Sequence, residues 1–340
     1  MATRTRAKTT AETAKIAAAR APEVMELDHR TTPVASVIVP TYNRRALLLE
    51  ALEALAQQDG PAFEVVIVDD ASTDGTFAAA VARANELGLA GRAARLQRNH
   101  RPPAARNVAL ELARADVIAF TDDDCVPAPG WLAAAMAQLT ARVGVVQGQT
   151  LPPPGAQPPF FSHFIEIKRL DGTFATCNAV YRREAIVAAG EFDATTDLWE
   201  DVDLGWRVLK LGWEARFAED AIVYHQVMPQ TVRAWLLWQS RLATWPEAVR
   251  RHPQARRALY GRFWVNRSHA ALTLALAGIV AARWWKPAAL LAAPYAIDFL
   301  TKHGLNGKFP AAKAALHLWW DAFGMASAIT GSIKHQRLVL

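Results

Sequence analysis

Cysteine is almost missing from this 340-residue chain: Cys125 and Cys177 are the two, and neither lies in a CxxC pair. That excludes a disulfide framework and leaves a reducing, cytosol-facing compartment as the default. No GxGxxG occurs after any strand-like run, which argues against a nicotinamide-binding Rossmann domain. The first 30 residues lack the continuous apolar core of a secretory signal, and Glu12, Glu23, Glu26 and Asp28 weigh against a transit peptide. They read as a mobile tail, residues 1–32.

Acidic residues are scarce in one region only. Residues 226–340 hold 15 Lys+Arg and 3 Asp+Glu, a balance of +12, while residues 1–225 hold 23 and 29, a balance of −6, which together give the overall +6. The same region carries 8 of the 12 tryptophans. Its charges flank apolar runs, a pattern that points to an anionic membrane surface rather than to nucleic acid. The length suits one large domain with an appendage, or two domains.

From Val34 onward, short β-branched runs alternate with longer helical stretches, as in a βαβ sheet. Strands are expected at Ser36–Val39, Phe63–Val68, Arg95–Asn99 and Val117–Thr121. Helices are expected at Arg45–Gln58, with Leu48, Leu52 and Leu55 on one face, at Thr76–Leu87 and at Ala104–Ala113. Ser72, Thr73 or Asp74 is placed to cap the second helix. The proline-rich stretch 152–159 is a loop.

Open α/β sheets bind ligands beyond the carboxyl ends of their strands. Here those ends carry Thr41-Tyr42-Asn43, Asp69-Asp70 and Asp122-Asp123-Asp124. Three adjacent carboxylates repel one another unless a cation or plain solvent relieves them. By itself the triplet reads equally as a solvated turn.

Five segments in order carry a resemblance: Ser36-Val-Ile-Val-Pro-Thr-Tyr-Asn-Arg44, Val65-Val-Ile-Val-Asp-Asp-Ala-Ser-Thr-Asp-Gly-Thr76, Ala105-Arg-Asn107, Thr121-Asp-Asp-Asp124 and Trp199-Glu-Asp-Val-Asp-Leu-Gly-Trp-Arg207. Over about residues 34–227 the chain resembles the inverting family-two glycosyltransferases of GT-A fold. The resemblance implies an α/β fold, a Rossmann-like mixed sheet with helices on both faces, spanning residues 33–227. A C-terminal helical, membrane-associated region of residues 228–340 would follow.

The resemblance also implies roles. Pro40, Tyr42 and Asp70 would line the nucleotide base pocket, Asp70 accepting an imide N–H of uracil or thymine unless it merely caps a helix. Arg106 and Asn107 would lie near the donor diphosphate, with Arg207 holding a phosphate or carboxylate. Asp124 would bind Mg²⁺ or Mn²⁺, supported by Asp122 and completed by His225, with Asp123 near the ribose. Asp201, beside Glu200, would be the base that deprotonates the acceptor hydroxyl; otherwise Glu200, Asp201 and Asp203 simply enrich a helix N-terminus. Cys177, Asn178 and Trp213 fall on the acceptor side, although Cys177 also suits a packed strand.

In the tail, Trp238-Gln-Ser-Arg-Leu242 stands where processive synthases of this fold carry QxxRW, which counts against a polymer-extruding enzyme. Between Arg267 and Arg283 lie 15 residues, uncharged if His269 is neutral. As a helix they reach about 22 Å against a bilayer core of about 30 Å. With Pro287–Ile297 they read as a shallow or re-entrant hairpin at the cytoplasmic face, and Ala311–Ile329 adds a third amphipathic stretch. A helical subdomain that covers the sheet is the competing reading. The expected reaction is transfer from a UDP- or dTDP-linked sugar to a lipid-linked or envelope glycan acceptor, the alternatives being a docked binding protein without turnover and a processive synthase.

Overall fold

The computed structural model describes residues 22–27, 32–159, 161–195, 199–303 and 310–340. Two compact units emerge: Met1–Ala156 with Phe164–Leu170 and Phe174–Val227, and Gln157–His163 with Asp171–Thr173 and Met228–Leu340.

The first unit is built on one nine-stranded sheet. Its elements in chain order are β1 (Glu23–Glu26), β2 (Ala35–Thr41), α1 (Arg45–Ala56), β3 (Phe63–Asp69), α2 (Thr76–Glu86), β4 (Gly91–Arg95), α3 (Pro102–Leu112), β5 (Val117–Phe120), β6 (Cys125–Pro127), α4 (Trp131–Ala137), β7 (Val143–Leu151), β8 (Ala179–Arg182), α5 (Arg183–Ala189), α6 (Glu200–Lys210) and β9 (Glu214–His225). The strand order is β1-β4-β3-β2-β5-β8-β7-β9-β6. Strands β4, β3, β2 and β5 run parallel, as do β7 and β9, whereas β1, β8 and β6 are antiparallel to their neighbours.

Every residue of β2 is buried, and so is every residue of β3 except Phe63. Strands with both faces covered need such unbroken apolar runs. Val37, Val39, Val65 and Ile67 pack with Leu48, Leu52 and Leu55 of α1 on one face. The alternate residues, Ile38, Val66 and Val68, are equally buried on the other, which α3 covers. Chain order doubles back at β2, whose successors β3 and β5 lie on its two sides. Beyond the carboxyl end of such a reversal the loops diverge and leave a crevice.

Two expectations are corrected. The strand expected at Arg95–Asn99 is β4, Gly91–Arg95. At Gly91 a Cβ would stand 2.0 Å from the Val65 carbonyl oxygen, so pairing starts where the backbones meet closely and only glycine fits. Propensity favours strands poorly in Gly-Arg-Ala-Ala, yet Ala93 and Ala94 are fully buried there. Within the expected mobile tail, Glu23–Glu26 is a strand that pairs antiparallel with β4, and Glu26 meets Arg92 at 2.9 Å. Residues 1–21 and 28–31 of that stretch lie outside the described residues.

The second unit is helical: α7 (Val232–Trp238), α8 (Trp245–Arg251), α9 (Arg267–Ala281), α10 (Ala293–His303) and α11 (Pro310–His335), with 3₁₀ turns between. Thr231 caps α7 and Asn266 caps α9 through their side chains. Residues 232–244 form α7 followed by a 3₁₀ turn, Gln239–Thr244. Gly278 lets α9 approach the Ala288 carbonyl, which an added Cβ would meet at 2.5 Å. Apolar side chains stay exposed on several of these segments, including Ile279, Trp284, Trp285, Leu290 and Ile333. Among the described residues, no helix is long and apolar enough to cross a membrane.

Candidate active site

The acidic triplet lies beyond β5, beside the end of β2, and two arginines serve its three members. Asp122 accepts from Arg106 at 2.8 Å. Asp123 accepts from the Thr41 hydroxyl at 2.7 Å and from Arg44 at 2.9 Å, and Asp124 from the same Arg44 nitrogen at 2.8 Å. Burial pushes the Asp123 carboxyl up to about 6, although Arg44 and Thr41 oppose the rise. Burial would favour the neutral form of Arg44, but Asp123 and Asp124 outweigh it and hold the guanidinium charged. Arg44 and Thr41 were not singled out from the sequence. An arginine just past a strand end, facing a carboxylate cluster, was the available signal.

Arg106, on α3, is 4% exposed and grips two carboxylates, Asp122 and, at 2.9 Å, Glu200. Its guanidinium also lies over the Phe192 ring, 5.8 Å from the centroid. Desolvation alone would favour the neutral form, yet the charges of Asp122 and Glu200 override it. The arginine thus ties the strand-end triplet to the first turn of α6.

That turn carries Glu200, Asp201 and Asp203. It begins at Trp199, which takes a left-handed conformation at φ 68°, a geometry that costs a non-glycine residue about 1 kcal/mol. Glu200 is bound by Arg106 and Asp203 by Arg207. Asp201 is different: among the described residues its one hydrogen bond is from the Val202 N–H, at 2.8 Å. Burial, and then the Glu200 charge, push its carboxyl up to about 7, with Arg106 opposing them. A carboxylate that takes up a proton near neutrality is what a general base requires.

On the other flank Asp70 is buried, and its two oxygens accept the backbone N–H groups of His100 and Arg101 at 2.7 and 2.8 Å. Burial pushes its carboxyl above the usual carboxylate range and those two bonds counter the rise. It holds the loop ahead of α3, while Asp74 bonds the N–H of Thr76 that opens α2. Each Asp70 oxygen keeps a second lone pair for a ligand N–H. Asn43 joins the two strand ends, donating its N–H to Ser72 and accepting from the Thr73 N–H. Tyr42 beside it is 44% exposed, whereas Pro40 is buried in β2.

His225 ends β9 directly opposite Cys125 of β6. Its Nδ1 lies 2.9 Å from the Gln226 carbonyl oxygen, which only accepts, so Nδ1 carries the proton. In the neutral ring Nε2 then presents a lone pair to an Asp124 oxygen 3.7 Å away. Two acceptors facing each other at that distance suit a cation between them. One donor atom from each of Asp124, Cys125 and His225 lies within 4.8 Å of the others, all three residues buried. The sequence pointed to Asp124 and His225 but not to Cys125.

Other expected site residues are occupied elsewhere. Asn107 clasps the backbone of Phe192, accepting its N–H and donating to its carbonyl. Arg207 bonds Asp203 and the carbonyls of Ala189 and Glu191. Asn178 is fully buried: it accepts from the Trp131 indole at 2.8 Å and donates to the carbonyls of Gln149 and Ala221. Cys177 is buried with its sulfur 3.8 Å from the Thr150 hydroxyl. Trp213 follows the far end of α6, about 13 Å of helix away from Asp201, and packs on Gly144. The site therefore gathers Asp70, Arg106, Asp122, Asp123, Asp124, Glu200, Asp201 and His225, and uses Asn107, Asn178 and Arg207 as internal ties.

Comparison with known proteins matches the model of glycosyl transferase family 2 over residues 36–188 and that of glycosyl transferase family group 2 over residues 117–326. The chain is 27% identical to glycosyltransferase AglE of Haloferax volcanii over 211 residues, 58% of this chain and 69% of that protein. It is 45% identical over 92 residues to the poly(ribitol-phosphate) beta-N-acetylglucosaminyltransferase TarS of Staphylococcus aureus, a stretch covering 26% of this chain and 16% of the relative. Among solved structures, the mannosyltransferase PcManGT from Pyrobaculum calidifontis, in complex with GDP-Man and Mn²⁺, superposes with a TM-score of 0.62 at 23% identity, covering 93% of this chain and 90% of that one. At such identity the likeness shows the mixed α/β fold.

Proposed function

The chain belongs to the family-two glycosyltransferases, and from that premise we propose that it transfers a sugar from a nucleotide-diphosphate donor to a glycan acceptor with inversion, using Asp201 as base and a divalent metal at Asp124. The observation that carries the reading is Asp201: of three acidic residues in the first turn of α6, it alone lacks a directly bonded cation among the described residues, and burial and Glu200 push its carboxyl up to about 7. An ionised Asp201 takes the proton of an acceptor hydroxyl as that oxygen attacks the anomeric carbon. The diphosphate leaves from the opposite face with the bond electrons.

Asp124 and His225 would hold the metal, with Asp122 nearby, and the ion when bound supplies positive charge to the leaving diphosphate. Mg²⁺ and Mn²⁺ both suit a carboxylate site. Asp70 would accept a base N–H, a role compatible with uracil, thymine or guanine donors. PcManGT with GDP-Man and TarS with UDP-GlcNAc are nucleotide-sugar complexes, which supports that donor class. TarS and a putative teichuronic acid biosynthesis glycosyltransferase, TuaG of Bacillus subtilis, support an envelope glycan or its lipid-linked precursor as acceptor. The matched stretches span 16% and 36% of those two relatives.

The test is turnover with a panel of UDP-, dTDP- and GDP-sugars in Mg²⁺ or Mn²⁺; no hydrolysis or transfer from any donor sinks the enzyme reading. Asp201→Asn should abolish transfer while donor binding persists, and unchanged turnover would remove Asp201 as base. We further propose that the second unit docks on the cytoplasmic face of a membrane. What supports this is an excess of 12 positive charges in residues 226–340 together with Trp284 and Trp285, 81% and 65% exposed between Arg283 and Lys286. Flotation with anionic vesicles that fails in both wild type and Trp284→Ala/Trp285→Ala would overturn it.

A further inference from the structure

Cys125 follows the acidic triplet, is fully buried, and faces His225 across the β6–β9 pairing. Its sulfur lies 3.8 Å from the Asp124 oxygen that stands 3.7 Å from His225 Nε2. A tetrahedral zinc ion bound at about 2.0–2.1 Å by oxygen and nitrogen and about 2.3 Å by sulfur separates its ligand atoms by roughly 3.3–3.6 Å. The two distances observed exceed those edges by a few tenths of an ångström, and the third separation is within 4.8 Å. Oxygen, nitrogen and sulfur are thus presented together, a softer donor set than the oxygen ligands that Mg²⁺ prefers.

We propose that Cys125 is a latent third ligand, recruited by thiophilic divalent ions such as Zn²⁺, Cd²⁺ or Co²⁺ and left aside by Mg²⁺ and Mn²⁺. The inference rests on Asp124 and His225 being the metal ligands of the proposed reaction. Hard ions take oxygen donors and do not displace a thiol proton, whereas softer ions bind thiolate strongly enough to do so. The sulfur–metal bond then forms as the proton leaves for solvent, with no change of oxidation state. A zinc ion so held occupies the position of the catalytic ion with one more ligand, and it competes by slow release.

The test uses the metal-free full chain and cobalt as a spectroscopic stand-in. Titration with Co²⁺ should produce a near-ultraviolet sulfur-to-cobalt charge-transfer band that is absent from Cys125→Ser and retained by Cys177→Ser. Competition titrations should show Zn²⁺ affinity falling by roughly 100-fold in Cys125→Ser while Mn²⁺ affinity changes less than about threefold. Circular dichroism on each variant checks that it folds, and the wild-type band by itself decides whether sulfur binds. No band at cobalt saturation, no cobalt binding at all, or a band that disappears with Cys177 instead would overturn the proposal. Turnover of the wild type with Mg²⁺ is scored separately: a turning-over enzyme without the band refutes this inference alone, and a band without turnover refutes the reaction.

Discussion

If Asp201 is the base, activity must rise with pH through its ionisation, and two neighbours should move that rise in opposite directions. With the carboxyl ionising at about 7, half the enzyme is competent at pH 7. About a tenth is competent at pH 6 and a hundredth at pH 5. Glu200 raises the value and Arg106 lowers it. A unit charge about 6 Å away in an effective dielectric of about 20 is worth roughly 2.8 kcal/mol, or two pH units. Glu200 is 17% exposed, and screening by solvent brings the expected displacement nearer to one unit. Glu200→Gln should therefore place the midpoint near about pH 6 and Arg106→Met near about pH 8. The assay is kcat/KM for transfer from pH 5 to 9 at saturating metal, read by nucleoside diphosphate release. Midpoints that move the same way, or that stay put in both variants, would refute the assignment. Stability gives an independent check. The folded carboxyl ionises at about 7 against 3.8 for the ordinary group, so the native state holds a proton that the unfolded chain has lost between those values. The contribution is full below about pH 4 and is lost as pH rises through about 7, on the order of 4 kcal/mol at most. Asp201→Asn should flatten that part of the stability profile.

Removing the Arg44 charge leaves Asp123 and Asp124 without their shared cation, so Arg44→Gln should tighten Mn²⁺ binding by roughly tenfold in calorimetry without nucleotide; weaker binding would contradict the competition it implies. Asn178→Ala strands the Trp131 indole and two carbonyls in the interior and should cost about 3 kcal/mol by urea denaturation, and a loss below about 1 kcal/mol would show the three bonds to be dispensable. Gly205→Ala drives a Cβ to 2.1 Å from the Phe174 ring, which packs edge-on to Trp206; a loss of more than about 2 kcal/mol is expected in the same assay.

Much of the sheet was legible because β2, β3 and β5 are β-branched or aromatic runs with both faces covered, and period, length and punctuation agree there. The misread strand, β4, had no such composition; a close backbone approach at Gly91 decided it, and that depends on where β3 lies. Strand-end carboxylates were legible for the same reason as the strands. Their partners were not, because Arg44 reaches Asp123 and Asp124 only through the β3-β2-β5 order, which brings residues 80 apart together. Asn107, Asn178 and Arg207 show the reverse difficulty. A polar letter in the right motif has the same spacing whether its side chain faces a ligand or bonds inward to a carbonyl.

Arg106 belongs to two stations at once, one hand on Asp122 and the other on Glu200. Substitutions at those two carboxylates are therefore energetically coupled, and a double-mutant cycle across Asp122 and Glu200 should not close additively even though they sit 78 residues apart in the chain. If the proposed reaction holds, donor and acceptor preferences in this chain are not independent modules: remodelling the Asp122 side of the crevice changes the charge felt at Glu200, and a chimera that exchanges either side must carry this arginine's environment with it.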